Sequence, residues 1–270
     1  MTLRMQTELI SISEAQDFAQ LLADASRSVC LKYFRNSVMV EDKADASPVT
    51  QADMECETML RAMINEKFPD HGILGEEHGQ ENLDKPYVWV IDPIDGTRAF
   101  ATGFPVYGTL IALLADGKPV CGVCDLPSLR ERFVGGVGAM TRFNGRRCET
   151  SSVTKLSDAT LRFTSHEIFS KEEFPAVQKI MDMTRFTHSG GDCYNYTLLA
   201  AGQCDLVIES SLQLYDIMAL LPIVEGAGGI ISDWQGKPIE LDREQSYDGR
   251  IVAAATQELH EQAIQHLSKI

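Results

Sequence analysis

The sequence predicts a mixed α/β protein, with a helix-first α+β half preceding a half in which strands and helices alternate. Three observations carry this. Amphipathic helical spacing dominates the first 64 residues. Val106 to Ala115, Val120 to Leu126 and Arg132 to Val137 then form apolar runs separated by Asp116-Gly117 and Pro127-Ser128, the pattern of an antiparallel meander. From Leu156 onward, short strand patterns alternate with helical ones. The chain divides accordingly into an α+β half, 1–155, and an α/β half, 156–270. At 270 residues, 44% hydrophobic and 23% charged, it can bury a large core.

Taken in order, Ser13 with Gln16 makes a capping box ahead of Ala15, Phe18, Leu21, Leu22, Ala25 and Val29, which predicts a helix from about Ser13 to Phe34. Asn36 to Pro48 is a polar link, and its segment Ser37 to Ser47, carrying Lys43, is a candidate closing loop. Thr50-Gln51-Ala52-Asp53 caps a second helix whose buried face is drawn from Met54, Met59, Leu60, Met63 and Ile64. Phe68 to Gly72 reads as a turn, and Ile73 to Glu77 as a short strand ending in two acids, with His71 and His78 in loops. Tyr87 to Ile91 is a buried strand. Beyond the meander, Asn144-Gly145 marks a hairpin. Thr160 to Thr164 is strand, Lys171 to Met183 helix, and Ser189 to Asp192 a polar entry to the helix Tyr194 to Ala201. Asp205 to Glu209 is strand, Ile217 to Ala227 helix, Ile230 to Ser232 and Ile251 to Ala255 strands, and Glu258 to Ile270 the last helix.

Composition excludes some functions. A net charge of -15 argues against nucleic-acid or anionic-membrane partners, which need clustered Lys and Arg. No signal-peptide pattern opens the chain, and no apolar run approaches the ~18 residues of a membrane span, so a cytoplasmic protein is expected. Seven scattered cysteines fit reduced thiols better than a disulfide framework. Cys121 and Cys124 lie in a strand pattern where an offset of three faces them apart, against a zinc pair.

The stretch with most chemistry is Asp92-Pro93-Ile94-Asp95-Gly96-Thr97, at the C-terminal end of the Tyr87 strand. Two carboxylates around a rigid Pro, with the Ile94 carbonyl between them, offer hard oxygen donors suited to Mg²⁺. Gly96-Thr97 adds backbone N–H groups and a hydroxyl where a short helix begins, a place that favours phosphate. The same string also reads as an Asp-Pro turn followed by an Asp-Gly turn. Asp53 and Asp216 fall where helices begin, which suits a first-turn acid as well as a ligand. If the fold gathered Glu76, Asp92, Asp95 and Asp216, only bound cations would make the cluster tolerable.

Together Gly75-Glu76-Glu77, Asp92-Pro93-Ile94-Asp95-Gly96-Thr97, Tyr215-Asp216-Ile217-Met218-Ala219 and Glu225-Gly226-Ala227-Gly228-Gly229 resemble the inositol monophosphatase superfamily over most of the chain. The resemblance implies a layered αβαβα sandwich and a Mg²⁺-dependent phosphomonoesterase. It places one Mg²⁺ on Glu76, Asp92 and the Ile94 carbonyl, a second on Asp92, Asp95 and Asp216, and a weaker third on Glu76. It further implies a water activated by Asp53 and Thr97, phosphate held by the N–H groups of Gly96 and Thr97, a homodimer, and inhibition by lithium. Tyr215 and Met218 depart from the family's usual Trp and small residue.

Arg98, Ser189-Gly190-Gly191-Asp192-Cys193-Tyr194 and Pro105 to Leu110 resemble the histidinol-phosphate phosphatase branch. Histidinol phosphate carries an ammonium and an imidazole, which call for carboxylates, and Asp192 and Glu209 align with the family's substrate contacts near Gly191. Asp192 also fits a helix cap, and Arg98 either a substrate contact or an ion pair. Tyr194, Phe100 and Phe104 are candidates to wall an imidazole, although aromatics are more often core. An inositol-1-phosphate phosphatase is the nearest alternative. A bisphosphate or nucleotide substrate fits less well, and a metal-binding regulatory protein without turnover is the alternative of another class.

Overall fold

The computed structural model describes residues 10–36, 40–42, 48–241 and 247–269. The first half contains α1 (Ile12–Tyr33), β1 (Val40–Asp42), β2 (Pro48–Thr50), α2 (Gln51–Lys67), β3 (Gly72–Gly75), β4 (Gly79–Glu81), β5 (Tyr87–Asp95) and α3 (Thr97–Ala101). The meander follows as β6 (Gly108–Ala115), β7 (Lys118–Leu126), β8 (Glu131–Gly136), β9 (Ala139–Phe143) and β10 (Arg146–Arg147). In the second half come β11 (Thr160–Phe163), α4 (Phe174–Met183), β12 (Phe186–Ser189), α5 (Cys193–Ala200), β13 (Leu206–Glu209), α6 (Leu214–Ile217), α7 (Leu220–Gly226), β14 (Ile230–Ser232), β15 (Ile251–Ala254) and α8 (Gln257–Leu267).

An eight-stranded sheet runs in the order β10-β9-β8-β7-β6-β5-β3-β4, antiparallel except for the parallel pair β3 and β5. Five strands, β12-β11-β13-β15-β14, form the second main sheet. Its β11 lies parallel to both neighbours, as strands joined through helices must. The separate pair β1 and β2 replaces the expected plain link, and the remainder of the proposed closing loop, including Lys43, lies outside the described residues.

Alternation along the strands builds the layers. Trp89 and Ile91 of β5, with Ile111 and Leu113 of β6, pack under α1 and α2. Val88, Val90, Leu110 and Ala112 face the other way, onto α5 and α7 and one face of the smaller sheet. The far face of that sheet, with Leu161, Leu206 and Val252, is covered by α4 and α8. The result is the αβαβα sandwich. Because both faces of β5 and β6 are covered, these strands read as unbroken apolar runs. Gly122 and Gly135 sit where a Cβ would overlap the backbone at Ala219 and Pro222, so the helical segment after Asp216 packs directly on the sheet.

Several local expectations are corrected. Ser11, not Ser13, caps α1, accepting from the Glu14 N–H at 3.2 Å, while Gln16 donates across to the Gly135 carbonyl. The helix expected from Lys171 starts at Phe174, where Ser170 and Glu173 exchange hydrogen bonds and Pro175 occupies the first turn. His71 lies in the loop between α2 and β3 as expected, but it is no surface residue: it is buried, stacks on Phe68 at 4.6 Å, and accepts from Trp89 Nε1 at 3.1 Å. Cys121 and Cys124 do face opposite sides of their sheet.

Candidate active site

The carboxylates are brought together by a bulge. Asp92 pairs with Leu110 and Asp95 with Gly108, so three steps along β5 match two along β6. In a regular strand an offset of three puts side chains on opposite faces. The extra residue reverses that, and Asp92 and Asp95 share a side. Pro93 explains the location, since it has no N–H for the ladder, and its carbonyl accepts instead from Thr109 Oγ1 at 2.7 Å. The Ile94 N–H donates to Asp92 Oδ1 at 3.0 Å, and Thr97 Oγ1 donates to the Ile94 carbonyl at 3.2 Å. Gly96, with φ of 84°, then turns the chain into α3.

Asp216 arrives from the second half. It is the third residue of α6, where its Oδ2 accepts from the Gln213 N–H at 2.7 Å and completes a capping box with Gln213. The cap leaves the other oxygen available. One oxygen each from Asp92, Asp95 and Asp216 lie within 4.8 Å of one another. Glu76 does not end a strand as expected, because β3 stops at Gly75 and Glu76 opens the three-residue turn to β4. Asp53, in the first turn of α2, is fully buried.

Electrostatics ties these groups together. Asp92 is held well above the usual carboxylate range, first by burial and then by Glu76, Asp95, Asp216 and Asp53. Asp95 is raised by burial and by Asp192 and Asp216, partly offset by the Cys193 N–H that donates to its Oδ2 at 2.6 Å. Burial foremost, with Glu76 adding to it, pushes Asp216 up to about 7. Thus Asp92, Asp95 and Asp216 share one partly buried point, and Glu76 and Asp53 lie near enough for their charges to act on Asp92. Asp92, Asp95 and Asp216 could hold a metal, and their all-oxygen donor set fits a hard divalent cation such as Mg²⁺.

Beside the cluster lies a cleft of about 390 Å³, of a size that takes a small molecule. Asp95, Gly96, Thr97, Arg98, Asp192, Glu209 and Asp216 line it. Asp192 occupies the position before α5, yet among the described residues its side chain makes no cap hydrogen bond. Its backbone sits at φ 45°, ψ -132°, a region costly for a residue with a Cβ, and a Cβ at Gly96 would stand 3.1 Å from its Oδ2. The cap reading of Asp192 therefore falls. Burial raises Asp192 to about 6, with Arg98 opposing. Burial also raises Glu209 to about 8, although Thr164 Oγ1 donates to its Oε1 at 3.0 Å. Gly191, at φ 128°, abuts the Asn195 side chain, and Asn195 Nδ2 reaches Glu209 Oε1 at 3.5 Å.

Arg98 pairs with Glu167 at 3.0 Å, both side chains exposed at the rim. The proposed aromatic wall is not there. Phe100 packs in the core with Ile94 and Tyr107, Phe104 is exposed, and Tyr194 lies by Glu131. Tyr196 lines the cleft instead, two residues further along α5, and Thr164 and Ser165 close its far side. Helical spacing from Asp192 is the signal that could have found Tyr196.

The model of the inositol monophosphatase family matches residues 11–270. The chain belongs to that family. Family members are metal-dependent phosphatases, typically using Mg²⁺. The chain is 46% identical to the bifunctional phosphatase IMPL2, chloroplastic, of Arabidopsis thaliana over 268 residues, 96% of this chain and 77% of that protein. With the histidinol-phosphatase of Chlorobaculum parvum it shares 36% identity over 226 residues, 83% and 87% of the two chains. Among solved structures, an inositol monophosphatase from Zymomonas mobilis is 42% identical with a TM-score of 0.87, covering 96% of this chain and 100% of that one. No helix among the described residues is long and apolar enough to cross a membrane.

Proposed function

We propose that this family member hydrolyses L-histidinol phosphate to L-histidinol and phosphate, a step of histidine biosynthesis. The observation that carries the reading is a pair of acids, the buried Glu209 and the half-buried Asp192, lining the cleft beside the carboxylate cluster. Burial works against the charged forms of both acids, whereas a cationic ligand entering between them stabilises those forms. A neutral polyol makes no such use of two acids. The histidinol-phosphatases among the relatives support this choice.

In this reading Glu76, Asp92, the Ile94 carbonyl, Asp95 and Asp216 would hold two to three Mg²⁺. Bound there, the cations lower the pKa of water and offset phosphoryl charge. Asp53 and Thr97 orient the attacking water, whose proton goes to the Asp53 carboxylate, while the N–H groups of Gly96 and Thr97 hold the phosphate. Gly191, Asp192 and Glu209 bind the alcohol portion, and Arg98, tethered to Glu167, guards the rim. Residues 1–155 thus supply most metal ligands, and 156–270 supply Asp216 and the specificity groups. Like the family in general, the enzyme would be a cytoplasmic homodimer inhibited by lithium.

The Zymomonas mobilis structure favours a second reading, an inositol-1-phosphate phosphatase. Side-by-side kcat/KM values for L-histidinol phosphate and inositol 1-phosphate at saturating Mg²⁺ decide between them. Preference for the inositol ester rejects the histidinol assignment.

A further inference from the structure

We infer that Glu57 is a positioning residue for Glu76: it clasps the turn that carries Glu76 and so sets the affinity of the metal site. The inference rests on the reading of Glu76 as a metal ligand. Asp53, Glu57 and Arg61 recur every four residues along α2 and therefore share one face of it. Glu57 is fully buried, and its carboxylate reaches the turn formed by Glu76, Glu77 and His78. Oε2 accepts from the Glu77 N–H at 2.6 Å, and Oε1 from the His78 N–H at 3.0 Å.

Arg61 completes the clasp. Its Nε donates to Glu57 Oε1 at 2.8 Å, and its guanidinium also donates to the Gly79 carbonyl where β4 begins. Gly75 closes the other end of the turn: a Cβ there would fall on the Glu57 carboxylate. A buried carboxylate is tolerated when it is paired and fully hydrogen-bonded. Paired with Arg61, Glu57 adds no net charge beside a cluster that already carries too much. It also ties two functional groups together, because the helix that holds the Glu76 turn carries Asp53 one turn earlier, where its charge acts on Asp92. The relative placement of Asp53 and Glu76 is thereby set before any cation arrives.

Outer partners that orient ligating carboxylates typically change metal affinity by about 10–100-fold. Glu57→Gln keeps the shape but turns an NH₂ toward one of the backbone donors. Mn²⁺ binding, read by the loss of the free-ion electron paramagnetic resonance signal, should weaken by about that factor. The Mg²⁺ concentration for half-maximal phosphate release should rise in parallel, with kcat at saturating Mg²⁺ within about threefold of wild type. Asp125→Asn, in the clamp that joins α1 to β7 and β8, serves as a control that lowers Tm without changing Mn²⁺ affinity. If Glu57→Gln lowers Tm but binds Mn²⁺ as tightly as wild type, the positioning role is overturned. If Glu76→Gln binds Mn²⁺ as wild type does, the ligand reading itself fails and the inference with it. Should Glu57→Gln not fold, hydrogen exchange of the metal-free wild type decides: the Glu77 and His78 amides should be protected, and exchange at free-peptide rates overturns the clasp.

Discussion

Asp192→Gly should separate stability from substrate choice. Asp192 is held at φ 45°, ψ -132°, a conformation that costs a residue with a Cβ about 1–3 kcal/mol and glycine almost nothing. Against this stands the extra chain entropy of glycine, about 0.5–1 kcal/mol. No cap hydrogen bond is lost, so folding should be unchanged or improved by up to about 2 kcal/mol, a Tm rise of several degrees. Substrate binding should suffer. A carboxylate hydrogen-bonded to an ammonium contributes about 1.5–3 kcal/mol, so kcat/KM for histidinol phosphate should fall by about 10–150-fold. An uncharged monoester lacks that partner, and its kcat/KM should change by less than about threefold. Phosphate release from both esters at saturating Mg²⁺, beside a thermal melt, tests this. An equal loss on both esters, or a variant less stable than wild type, refutes the claim that strain is kept here for recognition.

Two other perturbations probe the carboxylate cluster. Asp95→Asn removes a proposed metal ligand and one of the mutually repelling charges, so turnover should drop by orders of magnitude. Its Tm in EDTA should nevertheless equal or exceed that of wild type, and a near-normal rate would contradict the assignment. The metal-free protein should also be most stable in acid. Carboxyls held above their unfolded values, as at Asp216 (about 7) and Glu209 (about 8), bind protons more tightly when folded. Their contribution is full near pH 4 and is lost as pH rises toward 8. Melts in EDTA should show Tm falling across that window and added Mg²⁺ restoring it at pH 8; a Tm that climbs with pH in EDTA would count against a repulsive cluster.

Much of the architecture was legible because its main strands are covered on both faces, leaving runs such as Tyr87 to Ile91 and Gly108 to Ala115 almost wholly apolar. Edge strands β4 and β12 were not legible: every residue in them is exposed, so no apolar pattern marks them. At α1, Ser11 with Glu14 and Ser13 with Gln16 have the same spacing, and only the distant Gly135 carbonyl, which takes Gln16, decides between them. At the site, acids beside turns and helix starts could be picked out as candidates, since the residue types carry the chemistry. That Asp92 and Asp95 lie within one strand and are aligned by a bulge was not legible, since the same string reads equally as two turns. Glu57 could not be found this way. Beside Arg61 it reads as an ordinary surface pair along a helix, and its amide partners lie some twenty residues away. The strained backbone of Asp192 leaves no trace in the residue types around it.

Asp216 comes from the second half of the chain and Asp92 and Asp95 from the first, so neither portion alone would furnish every ligand of the proposed metal site. Occupancy of that site would therefore report that both portions have docked in register. A divalent ion held at the proposed site would tie the two portions together, and its removal by a chelator should lower Tm. The proposed catalyst would in this way be its own test of assembly: a chain folded in one portion only would lack part of the site that holds its metal.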